Sequence, residues 1–543
     1  MIAWVSSIEW NILRIVEIGK KAGTVSFATF LSRIFGLVRD QLFAALMGAG
    51  FFSDAYFIAF RIPNLLRDLF AEGALSSAFV PTFTEYEVRR SQKEAWELAN
   101  LVMGVLCAVV GTLTLFGMIF TPQVVAVIAP GFGDVPGKME LTVLLTRIMF
   151  PFLLIIAISA LFMGMLNVKG EFSLPAFAPV MFNLVSIFFG IALWSFGASG
   201  RVAVIGWSVG TLIGGLVQGG IQIPSLFKHG FRFRSTLAGW RNNKGLRQIA
   251  MLMIPALIAN SGIQVNILVN SILASLLDQG SPSWLNYAFR LMQLPIGVFG
   301  VAISVVTLST LSRDVASLSK EAKEGFQSNV TSSLNLVFLL TIPCAVGLWI
   351  LGVPIVRLIF ERGAFTSNDT LATASAITCY AIGLPTYAAV KVLAPIFFPL
   401  KDSKIPMIAS LIGVGINIIF NLLVYEKLRH PGLALGTSLG MMTNFGILVF
   451  WLQFRHGGLP WKAILKQIGL VGLATTCMAF VALYTNIWLT TGRLSLGYNL
   501  LNTLVPIAVA SFAYFLILSL FGVPEMDLVK KAFRKISQRL LSF

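Results

Sequence analysis

Four arginines lie inside apolar segments long enough to cross a membrane, and they are the residues of this chain best suited to do chemistry. They are Arg33, Arg39, Arg67 and Arg290. A charged side chain in hydrocarbon costs about 2.5–3.5 kcal/mol on insertion scales, so it usually marks a water-filled path or a site. Because a guanidinium binds phosphate oxygens with two parallel hydrogen bonds, four of them indicate a phosphate-bearing ligand handled within the membrane.

Nearby carboxylates offer these arginines a second role. Asp40 follows one of the arginines directly, and Asp54, Asp68 and Glu72 lie in the next apolar segment. Asp54, Arg61 and Asp68 are spaced seven residues apart, which places them on one stripe of a helix. The arginines could therefore be held in structural ion pairs, and Arg61 and Glu72 are the strongest candidates for such pairs. We favour substrate contact for the four, since intramembrane charges more often serve transport.

Composition places the whole chain in the membrane class. Of its 543 residues, 57% are hydrophobic and only 12% are charged, and the mean hydropathy is +0.84. These values are typical of polytopic membrane proteins. The net charge of +17 does not indicate nucleic-acid binding, because the basic residues are scattered between apolar segments instead of lying on one domain. Basic loops at the cytoplasmic surface, facing anionic lipids, explain the charge better.

Runs of about 20 apolar residues predict fourteen membrane-spanning helices. Lysine and arginine are concentrated in every second loop, which by the positive-inside rule predicts that both termini are cytoplasmic. We expect a multi-pass protein of the bacterial cytoplasmic (inner) membrane. The predicted spans are 22–47, 52–84, 96–120, 140–167, 173–197, 202–227, 246–277, 284–311, 326–352, 368–397, 404–425, 432–454, 463–486 and 498–522.

An internal repeat relates the first six spans to the next six. Pro122, Gly131 and Lys169 each recur 232 residues later, and Ala59-Phe60-Arg61 recurs as Ala288-Phe289-Arg290 at an offset of 229. Six spans per copy predict two lobes in the same orientation, related by a pseudo-twofold axis along the membrane normal. The predicted organisation is an interfacial segment (1–21), two six-helix lobes (22–230 and 231–455), a C-terminal helix pair (456–522) and a basic cytoplasmic tail (523–543).

Other polar residues in the spans complete the set of candidates. Ser283 and Gln293 flank Arg290 and could form part of a gate. Asn417 and Asn421 are one helical turn apart, and Asn270 is spaced in the same way from Asn266. Their amide oxygens could bind Na⁺, but hydrogen bonds between helices are at least as good an explanation.

Sequence signatures of enzymes are missing from the chain. It contains no Walker A loop, no H-E-x-x-H and no G-x-S-x-G in the strand-turn-helix context that a hydrolase requires. We therefore expect a transporter and not an enzyme, with no cofactor other than a possible Na⁺. Its energy would come from an ion gradient, the membrane potential or the gradient of the substrate.

Four consecutive motifs resemble the MurJ (MviN) lipid II flippases of the MOP exporter superfamily. The motifs are S-R-x-x-G-x-x-R-D at 32–40, G-A-G-x-x-x-D-A-Y-F at 48–57, P-N-L-L-R at 63–67 and F-A-E-G-A-x-S-x-A-F-V-P at 70–81. The resemblance extends over the whole chain. It implies two lobes of six helices and a C-terminal helix pair that forms a lipid-facing groove.

The resemblance also implies a substrate and a site. The substrate would be lipid II, the undecaprenyl-pyrophosphate-linked peptidoglycan precursor, moved from the cytoplasmic to the periplasmic leaflet by alternating access. By motif, the family's cavity arginines correspond to the four arginines above, and its acidic residues to Asp40 and Asp54. Some members carry Glu where Gln293 stands, and a span-11 Na⁺ site where this chain has Asn417 and Asn421. Further expected partners are membrane lipids and the cell-wall synthesis machinery, around a monomeric protein that binds no nucleic acid.

Three alternatives remain open from sequence. A multidrug or cation antiporter of the same superfamily would need an acidic cavity, which four arginines oppose. A flippase for another lipid-linked oligosaccharide fits the same chemistry. A scaffold that organises cell-wall synthesis through its basic loops would have little reason to keep arginines in hydrocarbon.

Overall fold

A computed structural model gives the architecture of the chain. It is helical throughout the residues it describes, which contain no strand. Those residues form two compact units, Met1–Gly280 with Arg362–Phe365, and Ser281–Glu361 with Thr366–Phe543. The described residues are 2–67, 75–234, 237–300, 303–304, 307, 320–400, 402, 404–455, 458–489 and 496–526.

Eleven α-helices are described in the first unit. A 3₁₀ turn at Pro130–Asp134 connects the fifth helix to the sixth. The helices are α1 (Ile2–Met47), α2 (Phe51–Arg67), α3 (Ser76–Arg89), α4 (Gln92–Ile119), α5 (Thr121–Ile128), α6 (Lys138–Met149), α7 (Pro151–Val168), α8 (Ser173–Ser195), α9 (Gly200–Gly220), α10 (Ile223–Lys228) and α11 (Lys244–Ser275).

Seven further α-helices are described in the second unit. A π turn at Ile296–Gly300 follows the first of them. The helices are α12 (Ser281–Pro295), α13 (Lys320–Ile350), α14 (Gly352–Phe360), α15 (Ser367–Ile396), α16 (Lys404–Arg455), α17 (Trp461–Leu489) and α18 (Leu496–Leu520).

Aromatic packing between α3, α4 and α7 forms the core of the first unit. Phe79, Phe83 and Phe152 are almost completely buried there, and Trp96 is 8% exposed. The α11 helix also packs in this unit, against α3, α4 and α5. Gly131 lets the 3₁₀ turn also approach the end of α11, because a Cβ at this position would lie 2.1 Å from the carbonyl oxygen of Ser275. The repeat assigns α11 to the second lobe instead, and the repeat-based lobe boundaries stay a prediction.

The C-terminal pair packs within the second unit, α17 against α13 and α18 against α14. Buried Val471, Met478 and Leu518 join Leu339 of α13 in one apolar cluster. The Tyr514 hydroxyl donates a hydrogen bond of 2.6 Å to the Leu339 carbonyl. The pair is therefore fixed to the second unit by apolar contacts and one buried hydrogen bond.

The helices follow most predicted spans but differ at three places. α1 begins at Ile2, so no helix boundary separates residues 1–21 from the first span. At 46 residues it is about 69 Å long, which is twice what a bilayer core requires. The eleventh and twelfth spans join in α16, where a left-handed Arg429 (φ 50°) marks the bend between them. The second span is described as α2 and α3, and Asp68 and Glu72 lie outside the described residues.

Nine helices within the described ranges are long and apolar enough to cross a membrane. This makes the chain a multi-pass membrane protein. The count of fourteen stays a prediction. The nine are Gln92–Ile119, Lys138–Val168, Ser173–Ser195, Gly200–Lys228, Gly325–Ile350, Ser367–Ile396, Lys404–Arg455, Trp461–Leu489 and Gly497–Leu520.

Candidate functional site

Arg39 is held by two neighbours in the first unit. Its Nη2 lies 2.8 Å from Oδ1 of Asp40, and its Nη1 donates to Oδ1 of Asn183 on α8 at 3.1 Å. The Asn183 amide in turn donates to the carbonyl oxygen of Ser32 at 3.0 Å. Both charged side chains keep 18% of their surface exposed. Arg39 is thus oriented by an ion pair and remains accessible to a ligand, while Asn183, which we did not predict, ties α8 to α1.

Arg33 lies about one and two-thirds turns earlier on α1 and is half-buried. Six helical residues correspond to about 240° of rotation, so it faces another side of α1 than Arg39. Its guanidinium makes no hydrogen bond or ion pair with any residue the structure describes. An intramembrane cation without a protein counter-ion is costly unless water or an anionic ligand reaches it. Of the predicted arginines, Arg33 therefore has the strongest need for an external anion.

The other predicted site residues divide between the two units. Arg67, at the last position of α2, is half-buried in the first unit. Arg290 is half-buried on α12 in the second unit, where Ser283 is fully buried and Gln293 is exposed. The α12 helix thus carries three of the predicted residues on one element. Their roles stay predictions.

Asp54 forms a buried ion pair that the sequence did not reveal. Lys138 Nζ, on α6, lies 2.9 Å from Asp54 Oδ2, and the two side chains are 2% and 0% exposed. The Gly280 amide donates to the same oxygen at 2.8 Å, and the Lys138 ammonium stands 4.2 Å from the centre of the Phe132 ring. Asp54 therefore links α2 to α6 and to Gly280, in the segment that follows α11. Lys138 was hard to identify from the sequence. It lies just before an apolar span, where a cation is expected to belong to a loop.

The predicted Na⁺ residues are divided between the two units. Asn417 and Asn421 are buried on α16 in the second unit, and the Asn421 amide donates to Asn417 Oδ1 at 3.2 Å. Asn417 also donates to the Thr437 hydroxyl at 3.4 Å, across the bend of α16. Asn270 lies on α11 of the first unit. Asn417 and Asn421 thus bond to each other and, through Asn417, across the bend of α16. We therefore assign no transport step to Na⁺, and a Na⁺ dependence stays a prediction.

An apolar groove of about 300 Å³ runs between α13, α17 and α18 in the second unit. Leu348 and Met478 form its walls. At Gly347 a Cβ would meet no atom within 4 Å, so the groove is open at that point. Such a surface suits an alkyl chain and offers nothing to a charged head group.

Polar residues at one end of the first unit form a separate network. Lys169 pairs with Glu87 and lies 4.8 Å from the centre of the Trp96 ring. Glu171 accepts a hydrogen bond from the Ser225 hydroxyl and lies 3.4 Å from His229 Nε2. The Ser225 hydrogen bond, with a smaller contribution from His229, holds the pKa of Glu171 below its usual 4.5. This network connects α3, α7 and α10.

Relatives by sequence cover nearly the whole chain. The family described as "Lipid II flippase MurJ" matches residues 43–505. A probable lipid II flippase MurJ of Vibrio cholerae is 36% identical over 515 residues, covering 93% of this chain and 96% of that protein. One from Rhizobium tropici is 34% identical over 528 residues, covering 95% and 96%.

Solved structures agree with the sequence relatives. A structure titled "Lipid II flippase MurJ, inward closed conformation" has a TM-score of 0.78 at 30% identity, covering 93% of this chain and 99% of the other. An inward-facing multidrug resistance MATE transporter of the MOP superfamily has a TM-score of 0.65 at 16% identity, covering 80% and 96%. At that identity the MATE likeness concerns the fold alone. The length of the family match and the identity to its members establish that this chain belongs to the lipid II flippase MurJ family.

Proposed function

We propose that this chain translocates lipid II across the bacterial inner membrane, from the cytoplasmic to the periplasmic leaflet. The observation that carries the proposal is the family match over residues 43–505. Lipid II joins a charged pyrophosphate and sugar head group to a long apolar tail. A protein that moves it must therefore supply an anion-binding surface inside the membrane and an apolar surface beside it.

The proposed contact for the pyrophosphate begins with Arg33. Its guanidinium has no counter-ion among the described side chains, while Arg39 is oriented by Asp40 and Asn183 yet remains partly exposed. Planar guanidinium groups bind phosphate oxygens in pairs, and these contacts are strongest where water is scarce. Arg67 and Arg290 are proposed as further contacts, as the motifs imply.

The proposed contact for the prenyl tail is the groove between α13, α17 and α18. Its walls are almost entirely apolar, and each buried CH₂ contributes about 0.8 kcal/mol. The tail would remain in an apolar environment while the head group moves. In this division of work, the proposed phosphate contacts lie on α1, α2 and α12, and the proposed tail contacts lie on α13, α17 and α18.

The head-group proposal is tested with Arg33→Ala. We expect the variant to insert into the membrane normally but to fail to support growth of a flippase-depleted strain, because the pyrophosphate loses its unpaired cation. Arg33→Lys should rescue only partly, since an ammonium cannot make the forked contact. Arg201→Ala removes an exposed arginine at the start of α9 and is the matched control. Normal growth and normal lipid II flipping with Arg33→Ala would overturn the proposed role.

The tail proposal is tested by filling the groove. Gly347→Phe places a ring in the open space, and Gly325→Phe on the same helix is the control, since its Cβ also meets nothing within 4 Å and it lies outside the groove lining. We expect Gly347→Phe to slow lipid II transport in proteoliposomes and to leave binding of a soluble pyrophosphate head-group analogue unchanged. Equal loss of both activities, or equal effects of the two variants, would contradict the division of work.

A further inference from the structure

A second cationic pocket, separate from the α1 arginines, lies where α4 begins in the first unit. It encloses about 350 Å³ between the first turns of α4 and the chain that follows α10. Nothing in the proposed transport cycle uses it. Its lining residues are Gln92, Lys93, Trp96, Glu97, Asn100, Gly230, Arg232 and Arg234.

Residues 231–234 place Arg232 and Arg234 on the side of the chain that faces the pocket. The segment is not helical, and alternate side chains of an extended chain point in opposite directions. Phe231 is completely buried against Trp96, with ring centres 5.4 Å apart, and Phe233 packs on Phe231 at 5.0 Å. With Phe231 fixed in the core and Phe233 packed on it, Arg232 and Arg234 both line the pocket.

Buried Asn100 clamps this segment through its backbone. Its amide donates to the Arg232 carbonyl at 3.0 Å, and its Oδ1 accepts from the Arg234 amide at 2.8 Å. Gln92 adds a hydrogen bond of 3.1 Å to the His229 carbonyl. The two arginine side chains are therefore presented on an ordered backbone, which lowers the entropy cost of binding a ligand.

Trp96 adds a buried donor that has no acceptor. Its side chain is 8% exposed, and its indole N–H donates to no atom in the described parts of the chain. Gly230 lies over that nitrogen, and a Cβ built on Gly230 would be 3.9 Å from it. The φ of +89° at Gly230 favours glycine, so no side chain covers the N–H on this side. A buried donor without a partner indicates a missing acceptor.

The charge of the pocket identifies the kind of acceptor. Lys93, Arg232 and Arg234 are exposed and have no ion pair with any residue in the described ranges. Glu97 is the one carboxylate among the lining residues, so the pocket has excess positive charge. Phe227, Phe233 and Trp240 nearby are 40–49% exposed, which is typical of aromatic side chains at a membrane interface. An anion with several acceptor oxygens at lipid head-group depth fits this surface.

We propose that this pocket binds a phosphate group at the membrane interface, as carried by an anionic phospholipid such as phosphatidylglycerol or by free phosphate. Arg232 and Arg234 contact the phosphate oxygens, Lys93 adds a point charge, and the Trp96 N–H donates to one oxygen. The site goes beyond the proposed transport of lipid II and does not depend on it.

The test uses the purified full-length protein without lipid II. Native mass spectrometry measures retention of short-chain phosphatidylglycerol, of the matching phosphatidylcholine and of inorganic phosphate. We expect Arg232→Gln/Arg234→Gln to weaken phosphatidylglycerol binding by about tenfold or more, because two charge-assisted contacts are lost. Arg241→Gln/Arg247→Gln removes the same charge from exposed arginines outside the pocket and should change binding less than about twofold.

Two further variants test the charge and the donor separately. Glu97→Gln removes the only carboxylate of the lining and should tighten binding, a result that misfolding cannot imitate. Trp96→Phe keeps an aromatic ring but removes the indole N–H, and should weaken binding by a few-fold. Retention of phosphatidylglycerol alone assigns the site to lipid, and competition by inorganic phosphate assigns it to free phosphate. Equal loss in the pocket and control variants, or no tightening with Glu97→Gln, would overturn the proposal.

Discussion

The same pair of helices occurs in both units, and only one copy contains a buried ion pair. In the first unit, α2 packs on α6 and places Asp54 against Lys138. The repeat offsets of 229 and 232 lead from these residues to Ser283 on α12 and Thr370 on α15, two helices that also pack together. Ser283 and Thr370 are both completely buried and neutral.

Hydrogen bonds replace the ion pair in the second unit. The Thr370 hydroxyl donates to Oε2 of Glu361 at 2.6 Å, and Trp284 Nε1 donates to Oδ1 of Asp369 at 2.9 Å. Asp369 also completes a capping box with Thr366 at the start of α15. The positions equivalent to 54 and 138 are therefore neutral here, while a hydrogen bond to the Asp369 carboxylate joins α12 to α15, so this packing does not require an ion pair at positions 54 and 138. Buried ion pairs often give little net stability.

The largest expected effect in this comparison comes from removing half of the charged pair. Asp54→Ala leaves the Lys138 ammonium buried without its carboxylate, which we expect to cost about 3–5 kcal/mol. The measurement is the midpoint of SDS-induced unfolding of the purified protein. Lys138→Ala should be similarly unstable, because it strands the carboxylate.

The double variant Asp54→Ser/Lys138→Thr, which copies the second unit, is the control for this loss. It should unfold within about 1 kcal/mol of the wild type, since neither charge is left buried alone. A serine hydroxyl could also accept the Gly280 amide. If the double variant is as unstable as Asp54→Ala, the two helix pairs are not equivalent in energy.

A smaller effect on stability is expected in the second unit, where α12 packs on α15 without an ion pair at the equivalent positions. Trp284→Phe keeps the ring beside His430 and removes one hydrogen bond to a carboxylate, which we expect to cost about 1.5 kcal/mol. Trp488→Phe, on an exposed face of α17, should change the unfolding midpoint very little. A loss of stability as large as that of Asp54→Ala would contradict this ranking. It would show that α12 and α15 depend on this one hydrogen bond as strongly as α2 and α6 depend on their ion pair.

The smallest expected effect concerns an ion pair at the surface. The pKa of Glu171 is lowered by the Ser225 hydrogen bond and then by His229. The stabilisation is therefore complete above the unfolded pKa, and it is lost as pH falls through the lower folded pKa. Below about pH 4.5 the thermal midpoint should fall in the wild type and change less in Glu171→Gln. Parallel pH profiles of the two proteins would contradict this role of Glu171.

The sequence alone was enough to predict the class and the family, while the composition of the site stays a prediction. Apolar runs with few charges predict membrane helices because each exposed backbone group or charge is costly in hydrocarbon. The motif around Arg33 and Arg39 was specific enough for the family, which the comparisons confirm. The shared offset of the repeat also predicted which residues to compare between the two units.

The tertiary structure decided which charges are neutralised. Asp40 follows Arg39 directly in sequence, but the Asn183 amide that also binds Arg39 lies 144 residues away, and Arg33 has neither kind of partner among the described residues. Asp54 is paired by Lys138, which is 84 residues away in the chain. Short-range patterns cannot predict such partners, because an ion pair depends on distances set by helix packing and not on spacing in sequence. For the same reason the Trp96 pocket was invisible in the sequence, since its walls come from segments more than 130 residues apart.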